Sequence, residues 1–367
     1  MKKPQIKMRI VNWWIPDNEK NFYDNYFVGI LSQKYDIVYA EKPDFLLFSQ
    51  IDNYEMKTHF FDYDCVRIFF TGENIRTDWN LADYGIDFDY MEFSDRHLHL
   101  PLFVLGDIKQ NRVLNKRDKF CAYIVTNGGN RNNALLREQF FDKLSEYKKV
   151  DSGGRHRNNI GHFVADKHKW LQDYKFNLCF ENSSYPGYLT EKLFDAYNAG
   201  CVPIYWGDTS LRVGLAENVA GGGGFNPNDL ESIDTRIPTI SQNLIEYKIN
   251  PKAFINAHNF PNLNALLEEV KRIDNDDKAY EAMRNEPLFL DNFNPKEFYE
   301  KKILDFFDNI FSQGANLAFR RGKGRHLNAH NARIKLTHLT RDALNIAKFI
   351  SNAQIKIKRV FKFHKKS

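Results

Sequence analysis

The chain has 367 residues, 43% of them hydrophobic and 15% aromatic, with a formal net charge of +5. That length supports two domains, each able to bury its own core, and no run of about 18 apolar residues is available to cross a bilayer. The charge is segregated: from Leu317 onward there are fourteen Lys or Arg and a single acid, Asp342, so a basic tail follows an acidic body, which argues against nucleic-acid binding by the body.

The first third alternates strands and helical runs. KMRIVNWW (7–14) reads as a strand and 24–32 as a short helix. YDIVYA (35–40), DFLLFS (44–49) and CVRIFFTGEN (65–74) read as strands, the last ending in a polar loop; IDFDYMEF (86–93) and LPLFVL (100–105) are further strand candidates. Strands separated by helical runs predict a parallel sheet with helices on its faces. The charged stretch NKRDKF (115–120) marks a linker, and CAYIVT (121–126) opens a second series. A helix over 131–147, a turn in DSGGRHRNNIG (151–161), a helix near 166–174, a strand at 176–180, a helix over 190–199 and the strand CVPIYWG (201–207) follow. Gly200 suits the left-handed position just past a helix end. This β-α-β-α-β order predicts a second nucleotide-binding-type α/β domain. Helices at 263–273, 275–284 and 296–312 close the body, and two such domains face to face enclose a cleft. Cys65, Cys121, Cys179 and Cys201 are scattered without a CxxC pair, which reads as buried, reduced thiols of a cytosolic protein. The N-terminus has no apolar stretch long enough for a signal peptide. Gly221 to Gly224 lack the following Lys-Ser/Thr of a phosphate loop and read as a flexible loop.

Three loops carry chemistry. FENSSYPGYLTEK (180–192) lies between a core strand and an amphipathic helix, where α/β proteins bind ligands. Thr190 is placed to cap that helix, whose N-terminus suits an anion such as a diphosphate. Lys192 in the first turn opposes the helix dipole unless an anion is present, while Glu191 fits the dipole and serves equally as an ordinary first-turn acid. Tyr188 offers a stacking face with a polar tip. In SGGRHRNN (152–159), Gly153 and Gly154 allow close backbone approach, and Arg155 and Arg157 supply fork donors for phosphate; solvated loop arginines are the plain alternative. In FFTGEN (69–74), Glu73 sits where a strand of the first domain ends, as a general base in the cleft or as a loop acid with a structural hydrogen bond. Asp87-Phe88-Asp89 has the form of a metal-binding DxD but lies far from the anion loops in sequence and reads as structural.

The segment FNLCFENSSYPGYLTEKLFDAYNAGCVPIYWG (176–207) resembles the signature of the α-1,3/1,4-fucosyltransferases of glycosyltransferase family 10, above all the bacterial enzymes that make Lewis-type epitopes. The shared pattern is Phe180 to Ser183, Tyr188, Thr190 to Lys192, and Val202 to Ile204. FFTGEN, DRHLHLP (95–101), SGGRHRNN and NPKAFINAHNF (250–260) are similar to that family too, so the resemblance covers residues 8–310. It implies a GT-B architecture of two Rossmann-like domains around a cleft, 1–115 for the acceptor and 116–312 for the donor, the last helix crossing back, and then a basic tail over 313–367. It implies transfer of fucose from GDP-β-L-fucose, with inversion, to a glycan hydroxyl, O3 of N-acetylglucosamine in N-acetyllactosamine-type glycans, with a 1,4 linkage as the alternative. By motif match, Glu73 is the base, Arg157 and Lys192 hold the diphosphate, and Asn182, Tyr188 and Glu191 contact the donor. No metal is expected to be needed for donor binding, with Mn²⁺ or Mg²⁺ only stimulating turnover. Two other readings fit the same fold: a GT-B enzyme with a different nucleotide-sugar donor, and a non-catalytic binder of sugar nucleotides or glycans. Residues 211–249 look like an insertion relative to the bacterial pattern, and the heptad repeats of some members are absent, so acceptor preference and oligomeric state stay open.

In the tail, Leu339, Ala343, Ile346, Ile350, Ala353, Ile357 and Val360 alternate four and three apart along one helical face, beside Lys348, Lys356, Arg359 and Lys362. The segment is too charged to span a bilayer and suits lying on an anionic one, which predicts a cytoplasmic protein held on the inner face of the membrane. A packed terminal helix and a subunit-pairing helix compete with this reading, and IKIKRVFKF (355–363) also alternates like a strand.

Overall fold

The computed structural model of the chain describes residues 2–49, 59–106, 112, 114–126, 128, 132–211, 245–337, 339–340 and 343. Two parallel sheets organise it. The first contains β1 (Gln5–Val11), β2 (Asp36–Tyr39), β3 (Phe45–Phe48), β4 (Val66–Phe70), β5 (Tyr84–Asp87) and β6 (His97–His99), in the order β2-β1-β3-β4-β5-β6. The second contains β7 (Lys119–Tyr123), β8 (Val150–Ser152), β9 (Tyr174–Leu178), β10 (Val202–Tyr205) and β11 (Ile255–Asn256), in the order β11-β10-β9-β7-β8. The central strands FLLF, VRIFF and VPIY are buried at every position, as expected of parallel strands covered on both faces.

Helices fill the connections: α1 (Glu19–Tyr23), α2 (Tyr26–Leu31), α3 (Asn132–Tyr147), α4 (Lys167–Leu171), α5 (Glu191–Asn198), α6 (Leu263–Asn275), α7 (Asp277–Asn285), α8 (Pro295–Ser312) and α9 (Gly314–Ala318). Their starts follow the local chemistry. Asn18, Asn25, Asp166, Asn262, Asp276 and Asn294 each cap a helix by accepting from the backbone N–H of its second or third residue. Gly200, at φ +80°, follows α5 and turns the chain into β10.

Three sequence expectations change. The strand read in IDFDYMEF begins earlier and ends at Asp87. LPLFVL is not a strand: β6 precedes it, and Leu102–Leu105 form a 3₁₀ turn. Pro101 has no N–H to give a ladder, and the turn carries Phe103 onto Phe194 of α5, with ring centroids 4.2 Å apart. The first two residues of DSGGRHRNNIG, read as part of a turn, belong to the short strand β8, which pairs with β7 from Cys121↔Val150 to Tyr123↔Ser152.

Although α8 follows the second sheet in sequence, it returns to the first. Its Phe307 lies 6.1 Å from Phe27 of α2, and Phe311 packs edge-on to Phe45 of β3 at 4.8 Å. The chain then clamps that sheet at the end where β4 and β5 begin. The backbone N–H groups of Arg320 and Arg321 each donate to Asp83 Oδ1 at 2.7 Å. The buried Arg321 guanidinium pairs with the same carboxylate and donates to the Cys65 carbonyl at 2.9 Å. A helix over 325–337 follows, with Lys335 Nζ 4.9 Å from the centre of the Phe61 ring. Leu339, Thr340 and Ala343 are also helical; Ile346 through Val360 of the amphipathic pattern, like 212–244 of the insertion and its four glycines, lie outside the described residues. All four cysteines are buried and free. Among the described residues no helix is long and apolar enough to cross a membrane.

Asp87 spends its carboxylate on the first sheet. Oδ2 accepts from the Thr77 N–H at 3.0 Å and the Thr77 hydroxyl at 2.6 Å. Oδ1 accepts from the Asp89 N–H and faces His97 Nε2, both at 2.9 Å. Burial pushes the Asp87 carboxyl up, but these partners, His97 foremost, outweigh it and hold it below its ordinary value. A depressed folded pKa contributes stability above the unfolded value, about 3.9, and loses it as pH falls through the folded pKa. Asp87→Asn should therefore cost about 1–3 kcal/mol at neutral pH. It should also remove part of the acid-unfolding limb below about pH 4. Denaturant melts at pH 7 and pH 3 that leave the two proteins equally separated would refute this.

Candidate active site

Two loops from the carboxyl ends of β4 and β9 meet between the sheets. After β4 the chain turns through Thr71-Gly72-Glu73, the Glu73 N–H donating to Thr71 Oγ1 at 3.0 Å. A Cβ on Gly72 would stand 2.6 Å from Leu102 Cδ1, so the turn fits closely under the 3₁₀ segment. Glu73 Oε2 accepts from Asn182 Nδ2 at 3.2 Å, which joins the first sheet's loop to the second's.

After β9 the ladder continues for two more hydrogen bonds, Cys179 N–H to the Ile204 carbonyl at 3.0 Å and Glu181 N–H to the Trp206 carbonyl at 2.7 Å. Phe180 stacks on Phe140 of α3 at 5.6 Å. The ladder delivers Glu181 into the interior with no exposed surface. There it accepts from the Thr190 N–H at 2.9 Å, the Thr190 hydroxyl at 2.7 Å and Lys192 Nζ at 2.8 Å. Thr190 is therefore not the side-chain cap of α5 that the sequence suggested: its hydroxyl turns inward to Glu181 and makes no capping hydrogen bond. Burial works against the Lys192 charge, but Glu181 and Glu191 outweigh it and raise its pKa above the ordinary lysine value. Glu191 lies 3.5 Å from Lys192 Nζ. Burial raises the Glu191 carboxyl, yet the Lys192 charge leads the effects that hold it below its ordinary value.

Tyr188 is 2% exposed. The ring read as a stacking face is packed edge-on to Phe88 at 5.3 Å, and the hydroxyl reaches outward, donating to Asn182 Oδ1 at 2.8 Å. Gly187, at φ +83°, must be glycine on two counts: the conformation is left-handed, and a Cβ would collide with the Phe88 carbonyl. Its N–H donates to the buried Asp208 at 2.7 Å.

The geometry thus gathers these residues into two hydrogen-bonded groups, Glu73–Asn182–Tyr188 and Glu181–Thr190–Lys192–Glu191, which adjoin where Asn182 follows Glu181 in the chain. It does not add Arg157 to their hydrogen bonds. Arg157, itself at φ +54°, pairs with Asp142 on α3, has Glu138 at 3.8 Å, and lies over the Phe141 ring at 5.4 Å. The buried arginine of α3 is Arg137, 6% exposed. Burial pushes the Tyr123 phenol at the end of β7 up to about 12, and the leading influence against that rise is the Arg137 charge. Sequence reasoning missed Arg137 and Glu181. Arg137, Phe140, Phe141 and Leu144 follow the i, i+3, i+4, i+7 spacing of a buried face, so an arginine stood in an apolar stripe. Glu181 was a carboxylate directly after a continuous apolar strand. Among the described residues no group of three or more His, Cys, Asp or Glu is arranged to hold a metal ion.

Comparison with known proteins bears on this cluster. Residues 9–106 match the alpha-(1,3)-fucosyltransferase FucT N-terminal domain, and residues 114–216 match the glycosyltransferase family 10 (fucosyltransferase) C-terminal domain, together more than half of the chain. The chain is 29% identical over 350 residues to alpha-(1,3)-fucosyltransferase FucT of Helicobacter pylori, covering 84% of this chain and 66% of that protein. It is 27% identical over 168 residues to the bovine 3-galactosyl-N-acetylglucosaminide 4-alpha-L-fucosyltransferase FUT3, 46% of this chain and 36% of that one. It thus spans just under two thirds of the bacterial relative's length and little over a third of the bovine one's. A crystal structure of an alpha1,3-fucosyltransferase matches 84% of this chain and 90% of its own at TM-score 0.64 and 29% identity. One of an alpha1,3-fucosyltransferase with GDP-fucose matches 88% and 94% at TM-score 0.62 and 26% identity. With two parallel sheets in this arrangement, the fold is GT-B, and the chain belongs to the fucosyltransferases of glycosyltransferase family 10.

Proposed function

We propose that the chain is an inverting α-1,3-fucosyltransferase that moves L-fucose from GDP-β-L-fucose to O3 of N-acetylglucosamine in N-acetyllactosamine-type glycans. The observation that supports this most is the hydrogen bond from Asn182 to Glu73, which stands a carboxylate of the first sheet beside the loop leading to Lys192 and the N-terminus of α5. Glu73 takes the proton of the acceptor hydroxyl as that oxygen bonds to the anomeric carbon. The bond to the GDP oxygen breaks on the opposite face, its electron pair leaving on the β-phosphate. One displacement inverts the centre, so a β-linked donor gives an α-fucoside.

The leaving diphosphate gains negative charge, which Lys192 and the first turn of α5 stabilise more in the transition state than in the ground state. Glu181 keeps Lys192 charged and aimed. Asn182, Tyr188 and Glu191 contact the donor's sugars. Arg137 supplies a second cation from α3, and Arg157 a third on exchanging Asp142 for the diphosphate. Protein cations serve in place of a metal, so the donor binds without a divalent ion, and Mn²⁺ or Mg²⁺ act on turnover alone. The basic tail rests on the anionic inner face of the cytoplasmic membrane.

Glu73→Ala should lower kcat about 10²–10⁴-fold with GDP-fucose affinity nearly unchanged; near wild-type turnover would remove Glu73 from the mechanism. Calorimetry of GDP binding in EDTA should show losses of about 10–100-fold for Lys192→Ala and for Arg137→Ala. Arg157→Ala should lose less, and the Lys192 and Arg137 effects should be non-additive because they share one anion. A larger loss for Arg157→Ala would return the diphosphate to the glycine-arginine loop, and no GDP binding at all in EDTA would restore a metal. Truncation after Gly324 keeps the Arg321–Asp83 pair, which a cut after Gly314 would destroy. The shortened enzyme should stay active and no longer sediment with phosphatidylserine vesicles at low salt, each lost basic residue weakening attachment by about 1 kcal/mol. Full-length protein that ignores such vesicles would refute the membrane role.

A further inference from the structure

Residues 73–76 and 182–185 run beside one another as a seam. Glu73 meets Asn182, Asn74 Nδ2 donates to Ser183 Oγ at 2.8 Å, and the Arg76 guanidinium carbon lies 3.7 Å from the centre of the Tyr185 ring. The three contacts differ in what fixes them. Asn182 is exposed, and amide hydrogen bonds facing water exchange readily. Arg76 is held from behind: its Nε donates to Asp89 Oδ2 at 2.8 Å, and the guanidinium also faces the Phe88 ring at 5.2 Å. Tyr185 is held as well. Phe88 lies edge-on to it at 6.2 Å, and two residues on, Gly187 is pressed against the Phe88 carbonyl and bonded to Asp208. A planar cation stacked on an aromatic face, with both members anchored, is the stiffest contact in the seam.

We infer that Arg76 and Tyr185 are positioning residues that fix where the Glu73 carboxylate stands relative to the donor loop. This rests on the reading of Glu73 as the base. Both act through the two loops, not on the reacting atoms. Arg76 is three residues from Glu73, and Tyr185 three from Asn182, so the stack sets the spacing between the two loops that the Glu73–Asn182 hydrogen bond bridges. A base works only within hydrogen-bond reach of its proton, and a displacement of about 1 Å costs about 10²-fold in rate.

GDP release from GDP-fucose with N-acetyllactosamine as acceptor reads this directly. Arg76→Lys keeps the charge and loses the planar face; Tyr185→Ser loses the ring. Both should lower kcat about 10–100-fold, with GDP affinity and Tm unchanged, while Tyr185→Phe, which keeps the ring face, should restore wild-type kcat. In a Glu73→Gln background, where no base is left to position, Arg76→Lys should cost nothing further. Wild-type kcat in Arg76→Lys and Tyr185→Ser overturns the inference, as does a loss that persists undiminished in Glu73→Gln or that tracks GDP affinity. The underlying reading fails separately: Glu73→Gln turning over like wild type, or wild-type protein releasing no GDP with this acceptor, would remove it whatever the seam variants do.

Discussion

A carboxylate with no exposed surface constrains everything around it. Glu181 is costly to bury charged unless its oxygens are filled, and the Thr190 N–H, the Thr190 hydroxyl and the Lys192 ammonium fill them. Meeting that demand bends residues 182–189 into a closed loop and seats the first turn of α5 against the end of β9. It also takes the Thr190 hydroxyl away from the helix cap. Gly207 completes the arrangement, since a Cβ there would collide with the Glu181 side chain. The strand end, the loop and the helix N-terminus therefore behave as one unit, and Lys192 is aimed from within the core rather than by a solvent-borne tether.

The second unit, the loop carrying Glu73, is registered to the first by packing that belongs to neither sheet alone. One apolar core runs from Ile68 and Phe70 of β4 through Phe103 to Phe194 of α5 and on to Tyr299 and Phe307 of α8. Buried polar groups add direction to it. Asp208 accepts from the Gly187 N–H, from the Ser210 N–H at 2.8 Å and hydroxyl at 2.6 Å, and from Tyr247, whose own hydroxyl accepts from Tyr90 of the first half at 2.9 Å. Tyr247 lies within the last residues of the segment read as an insertion, 211–249, so that end of the segment is fixed at the junction of the two halves. On the far side, Asp83 receives Arg320 and Arg321 after α8 has crossed back. Separation between Glu73 and Lys192 is thus set by a shared core and by Asp208, with the crossing helix locked in place by Asp83.

Most of this was legible where one physical signal dominated. Unbroken apolar runs such as FLLF and VRIFF gave buried parallel strands, and the polar loop after FNLCF marked the strand end where Glu181 meets Thr190 and Lys192. Legibility failed where tertiary contacts override local pattern. LPLFVL has strand composition, yet Pro101 and the Phe103–Phe194 stack make it a turn. The three-residue strand β8 is too short to show a period. The partners that Arg157 meets, Asp142 and Glu138 on α3, are close to its glycine-rich loop only in three dimensions. Arg321 was one of fourteen basic residues in a tail and had no local sign of burial, because its partner Asp83 lies more than two hundred residues away.

That last case changes what the tail is. Its first residues are part of the body: Arg321 is 8% exposed and bonded to Asp83 and the Cys65 carbonyl, so the basic segment leaves the core only after Gly322. The helix that follows runs close to the first half, through Lys335 and Phe61 and through His330, 3.7 Å from Asp78. It still turns Leu336 and Leu339 outward, at 61% and 66% exposure. Leucines three apart on a helix share a face, and Leu339 opens the apolar series read along 339–360. An outward apolar stripe with basic residues nearby costs free energy in water and gains it on an anionic interface. The anchoring of 320 and 321 gives that stripe a fixed origin on the first half, the half that carries Glu73. On the proposed membrane role, it is therefore the half carrying Glu73 that the surface would hold close.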